Sequence, residues 1–131
     1  MQRPSFGILG AALAAASVLF GAPASAHHSF SSFDRNRIAM VSGTVKDFQW
    51  TNPHVWIQLL APGVNGAAAV EWSIEGGSVN AMQRSGGWKK SALKVGDKVV
   101  VYFHPLRDGG SGGELVNAAV NGKLIGPEKV G

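Results

Sequence analysis

The sequence predicts an all-β fold with one short helix, a small five-stranded Greek-key barrel of the OB-fold type. Three observations carry that expectation. Segments rich in β-branched and alternating apolar residues recur between residues 40 and 120, separated by Gly, Pro and Asn. Their order is three strands, a short helix and two strands, and a helix between the third and fourth strands is the OB-fold succession. Glycine reaches 18 of 131 residues and cysteine is absent. A closed barrel that hides its strand edges suits such a domain, which has no disulfides to staple it. The competing layout is a two-sheet sandwich, for which seven strands are not easily found.

The chain begins with an expected export signal. Arg3 and the amino terminus supply positive charge, and an alanine-rich apolar run extends from Phe6 to Phe20. Gly21 and Pro23 then break the run before the small-x-small site Ala24-Ser25-Ala26. A membrane span needs roughly 20 consecutive apolar residues, and this run is shorter and diluted by Ala, Gly and Ser. A second site, Ala22-Pro23-Ala24, would place Ser25 first instead. The expected organisation is a cleaved signal over residues 1–26, an arm over 27–38, a barrel over 39–124 and a tail over 125–131. The destination is the periplasm, with no membrane span after cleavage. Without cysteine the protein is no lipid-anchored lipoprotein.

The arm, His27 to Arg37, is polar, with Phe30 and Phe33 as anchors. Met40 to Trp50 reads as the first strand, with Gly43 as a bulge or bend. Asn52-Pro53 marks a turn. His54 to Leu60 is the second strand, with Val55, Ile57 and Leu59 on one face and His54, Trp56 and Gln58 on the other. Val70 to Ile74 is the third, with Val70, Trp72 and Ile74 inward and Glu71 and Ser73 outward. Ser78 caps a short helix running to about Arg84, which Gly86-Gly87 ends. Lys98 to His104 is the fourth strand, Pro105 to Gly113 a glycine-rich loop, and Leu115 to Val120 the fifth strand. Asn121-Gly122 turns into the tail.

The formal net charge is +4, and the basic residues do not gather into a run. Export, together with the lack of a basic stripe interleaved with aromatics, argues against nucleic acid as a partner. The chemistry-bearing residues are the four histidines at 27, 28, 54 and 104. Cleavage after Ala26 would give His27 a free α-amine beside its imidazole, a pair that chelates one metal. Copper(II) prefers nitrogen ligands in a tetragonal plane, and His54 or His104 is the candidate third ligand. The bland readings are a solvated His28, a His54 bonded to a turn carbonyl and a His104 at a strand end. The four tryptophans offer either a stacking platform or core, with Trp72 read as buried. Asn52, His54 and Trp56 make the best small-molecule surface. Glu71, Glu75, Asp97 and Asp108 form no catalytic pair, Glu71 and Glu75 being read as solvated. Ser29 beside His28 lacks an orienting acid.

Several blocks carry a resemblance: His27-His28-Ser29-Phe30, Gly43-Thr44-Val45 and Trp50-Thr51-Asn52-Pro53-His54-Val55-Trp56. Trp72, Glu75, Asn80, Gly87-Trp88 and Leu93-Lys94-Val95-Gly96-Asp97 continue it. Over nearly the whole mature chain the sequence resembles the exported bacterial family of unknown function numbered 6152. The resemblance implies a signal peptide and a small β-barrel-like domain, with no established activity or catalytic residue. Val79 stands where members tend to have proline, and Arg84 to Trp88 is slightly longer than the usual turn. The expected function is that of a non-enzymatic exported binding or accessory protein. Its partner would be a small molecule, a metal or an exported protein. The alternative is a copper carrier or accessory factor using His27 with His54 or His104. A metal-dependent redox enzyme is a third, weaker class.

Overall fold

A computed structural model describes residues 30–127. Six strands are present: β1 (Ala39–Gln49), β2 (Trp56–Ala61), β3 (Val70–Glu75), β4 (Lys98–Pro105), β5 (Gly112–Val120) and β6 (Lys123–Leu124). One helix, α1 (Val79–Ser85), lies between β3 and β4. The sheet runs β3-β2-β1-β4-β5-β6 through antiparallel neighbours. A parallel pairing of β3 with β5 then closes five strands into a barrel. The expected OB-type succession and closure are therefore what the chain adopts. Among the described residues no helix is long and apolar enough to cross a membrane.

Strand parity follows the sequence closely. Val55, Ile57 and Leu59 are fully buried, as are Ile74 and Val101, while Phe103 is nearly so. Alternate residues face outward because successive side chains of a strand point to opposite sides. Each buried Val, Leu, Ile or Phe contributes about 1.5–3 kcal/mol relative to exposure, and together these inner faces form one core. Val70 departs from the expected pattern. It has inward parity but is 40% exposed, because β3 begins there, before its pairing with β5 starts at Ser73.

β1 is shared between two partners. Residues 39–44 pair with β4 and residues 44–49 with β2. The bend that permits this falls at a register shift between Val45 and Asp47, not at Gly43. Val45 keeps both backbone groups satisfied there, bonding Asp97 O and Gly96 N at 2.9 Å each. Gly43 serves a close approach instead, since a Cβ on it would lie 2.7 Å from the Leu60 carbonyl oxygen. Gly112 has the same reason: a Cβ there would lie 2.7 Å from the Ser73 carbonyl, across the β3–β5 closure.

α1 starts as the sequence indicates. Ser78 Oγ accepts from Ala81 N at 3.2 Å, and Gly86 (φ +91°) and Gly87 (φ +77°) carry the chain away from its end. β6 is a strand the sequence reading does not assign. Asn121 and Gly122, both at positive φ, make a tight hairpin, and Ile125 N then bonds Ala118 O at 2.8 Å.

Candidate functional site

One end of the barrel gathers the titratable groups. Trp56 on β2 pairs with Glu75 on β3, Glu75 with Glu114 on β5, and Glu114 with His104 on β4. Paired residues project to the same side of a sheet, and here it is the outer one, because Ile57, Ile74 and Phe103 occupy the inner. A polar row thus crosses four strands on the outside of the barrel. Its lateral reach follows from the strand spacing: Glu75 and His104 are two steps apart, about 10 Å between Cα positions.

The arm covers this row. Phe33 is 3% exposed and forms an isolated antiparallel bridge with Leu106. Asp34 N donates to Pro105 O at 2.8 Å and Arg107 N to Ser32 O at 2.9 Å. Arg35 grips Glu114 with Nε–Oε2 at 2.8 Å and a second bond to Oε1. Those bonds push the Arg35 guanidinium above its ordinary range. Phe33 meets the expectation that the arm is pinned by an aromatic anchor; the Phe30 side chain lies outside the described residues.

Between arm and barrel lies a cleft of about 220 Å³, lined by Phe33, His54, Glu75, Gly76, Glu114 and Leu115 among others. Glu75 is 4% exposed, a correction to its reading as a solvated carboxylate. Glu71 does behave as expected, exposed and paired with Lys46 at 2.7 Å. The two lie on one face of β3, but only Glu75 is at the end that the arm roofs over. His54 Nδ1 lies 3.0 Å from Gly76 O and 3.4 Å from Glu75 Oε1. A carbonyl only accepts, so Nδ1 carries the proton and, in the neutral ring, Nε2 holds the lone pair. Gly76 and Gly77 add backbone to the cleft lining, and a Cβ on them would point at Val55 and Met82 or at Ala81.

The other sequence candidates take distinct places. Asn52 joins Pro53 through a cis peptide, and its Oδ1 accepts from Val79 N at 3.0 Å, holding the β1–β2 loop onto the start of α1. Trp56 is half-buried on the outer face of β2, beside Glu75 in register. His104 Nδ1 donates to Arg37 O at 2.7 Å, so this strand-end histidine does have a partner and fastens the arm. His27 and His28 lie outside the described residues. Among the described residues, no group of three or more His, Cys, Asp or Glu is arranged to hold a metal.

The tryptophans do not form one platform. Trp72 is half-buried against Phe103, with ring centroids 5.5 Å apart. Phe48 meets Trp50 at 5.7 Å and Trp88 at 6.4 Å, where Phe48 and Trp50 pack against the core. Sequence reasoning missed Phe33, Arg35, Glu75 and Glu114 as parts of one site. The available signal was weak: Glu75 and Glu114 each adjoin a Gly-Gly pair, which marks close backbone approach.

The family model described as "Family of unknown function (DUF6152)" matches residues 14–115. No curated protein and no solved structure matches the chain.

Proposed function

The chain belongs to the DUF6152 family of unknown function, and from that premise we propose an exported, periplasmic, non-enzymatic binding or accessory protein. Its ligand enters the cleft between the arm and the barrel end. The observation that carries this reading is the Glu75 carboxylate, 4% exposed and 3.4 Å from the His54 ring. Burying a carboxylate is costly unless charge and hydrogen bonds compensate, and an apolar residue at this strand end would avoid the cost. A carboxylate beside an imidazole, in a small cleft floored by bare glycine backbone, suits a small polar ligand with cationic or hydrogen-bond-donating groups. Asn52 is a scaffold residue of this site, and Trp56 flanks it from the neighbouring strand.

The test is a fragment screen of ¹⁵N-labelled, natively exported protein, using small amines, neutral amides and carboxylates as probes. Amines that shift the Gly76, Gly77 and Ser78 amides, with the shifts lost in Glu75→Gln, are the expected result. Perturbations confined to surfaces away from the cleft would overturn the reading.

A second reading, copper(II) binding through His27, is favoured by the His54 tautomer. With Nδ1–H held by a backbone carbonyl, Nε2 is left as a ligand atom oriented by its partner, the usual arrangement of a metal-bound histidine. His27 is six residues before Phe33, and six residues reach at most about 20 Å, so an amine and imidazole at His27 can approach the cleft. His104 presents the same tautomer but does not line the cleft, which makes His54 the preferred third nitrogen. Titration of tag-free protein beginning at His27 should show one copper(II) per chain, tighter than about 1 nM, equivalent to about −12 kcal/mol. A residue added before His27, or His54→Ala, should abolish that affinity. Unchanged affinity in both variants would overturn the copper reading while leaving the cleft proposal standing.

A further inference from the structure

A second concavity lies away from His54, on the outer face where β1, β2, β4 and β5 run side by side. It encloses about 710 Å³, within the roughly 300–1,000 Å³ typical of small-molecule pockets. Two lateral rows of paired residues form its floor. Leu60, Thr44 and Lys98 make one row, and Ser42, Val100 and Ala119 make the next. Val99 and Val101 face the core, so Lys98 and Val100 point outward. The base of the β2–β3 connection at Pro62 and Ala69 walls one side, and the Asn121–Gly122 turn walls another.

Its chemistry is uneven. Most of the lining is aliphatic or small, and Lys98 is the one charged residue among the described residues that line it. Lys98 Nζ donates to Thr44 Oγ1 at 2.7 Å. The partner is neutral, so the ammonium charge is not cancelled there, and the Thr44 hydroxyl keeps its own proton to donate. The Thr44–Lys98 pair therefore presents a cation and a hydroxyl donor, with Leu60 on one side of it and the apolar run from Val100 to Ala119 one row further along β4 and β5.

We propose that this groove binds a free, single-chain anionic amphiphile of the fatty-acid class. The carboxylate rests on Lys98 and Thr44, and the alkyl chain runs from there over Val100 and Ala119. A bilayer is a poorer fit. Surface docking on lipid calls for a protruding apolar face with several basic residues, whereas here a single lysine lies in a walled depression. The site shares no residue with the His54 cleft, so neither proposal depends on the other.

Isothermal titration of the exported protein with dodecanoate, below its micelle concentration, is the test. One site per chain is expected, with amide shifts at Thr44, Leu60 and Val100 and none at Gly76 or Gly77. Dodecyltrimethylammonium should bind more weakly. Lys98→Gln should weaken dodecanoate about fivefold, the scale of a partly screened ion pair, and Lys98→Glu should weaken it further. Ser42→Trp, at an exposed strand position that tolerates an aromatic, should block the trough while His54→Ala leaves binding unchanged. Absence of binding, equal affinity for the cationic analogue, or indifference to Lys98→Gln would each overturn the proposal. Because Lys98 is exposed, its variants retain the fold even if Ser42→Trp does not.

Discussion

Replacing Phe33 with alanine tests how the arm is held over the cleft. The Phe33 ring is 3% exposed, and truncating a buried phenylalanine typically costs about 3–5 kcal/mol. The other attachments are individually weaker. Asp34 N to Pro105 O, Arg107 N to Ser32 O and His104 to Arg37 O each contribute about 0.5–1.5 kcal/mol net. The Arg35–Glu114 pair is an exposed clamp that solvent screens. The ring is thus the largest single term in docking the arm, and its loss is met most cheaply by local release of the arm, with the barrel intact. A loss of about 3 kcal/mol lowers local protection by about two decades, at about 1.4 kcal/mol per tenfold. Hydrogen exchange read by mass spectrometry, beside urea denaturation, separates the two responses. In the variant the amides of Asp34, Arg37 and Arg107 should exchange about a hundredfold faster and remain far less protected than those of β1 and β2, which exchange only when the barrel itself opens. The global stability loss should not exceed the free energy of docking. Arm amides as well protected as those of β1 and β2 would refute this and make the arm part of one cooperative core.

Two further substitutions isolate single physical causes. Gly86→Ala and Gly87→Ala place a Cβ at neighbouring positive-φ positions. At Gly86 it meets nothing within 4 Å, whereas at Gly87 it overlaps the Ile125 carbonyl oxygen. Urea denaturation should show about 1 kcal/mol lost for Gly86→Ala, from backbone strain alone, and at least about 3 kcal/mol for Gly87→Ala; similar losses in the two would contradict the steric account. Ser78→Ala removes the side-chain cap of α1 and should cost about 1 kcal/mol, with exchange at the Ala81 amide rising about fivefold; no change at that amide would show that the cap bond contributes nothing.

The cleft and the groove divide the molecule's polar and apolar chemistry between separate faces. At the cleft, the polar row Glu75–Glu114–His104 is roofed by the arm, and Arg35, Phe33 and the Arg37 carbonyl hold that roof in place. For the ligand proposed at the cleft, loosening this roof by Phe33→Ala should raise the rate at which a bound amine or copper(II) exchanges. The groove needs no such motion, since its walls are a strand connection and a tight turn.

Local periodicity was enough to place the five barrel strands, the α1 cap and the inward faces apart from Val70. Val55, Ile57 and Leu59 are buried because they alternate with Trp56 and Gln58, and alternation is written in consecutive residues. Ser78 and Gly86-Gly87 likewise mark α1 through backbone geometry that each residue carries with it. Asn121-Gly122 was read as a turn, and its sequence is a strong hairpin signal, but the two residues that pair after it are too few for a pattern. Other features have no local cause. Glu75 and Glu71 share one strand face, yet one is buried and the other solvated, because a segment some forty residues earlier lies across only one of them. His104 gains its partner from Arg37, and Glu114 its clamp from Arg35, through contacts about seventy to eighty residues apart in sequence. The groove, too, is a product of register: Leu60, Thr44 and Lys98 line up only when three strands are paired. Strand and helix positions follow from interactions among near neighbours, whereas burial of polar groups and the shape of cavities follow from which distant segments close over them. That second set only the tertiary structure decided.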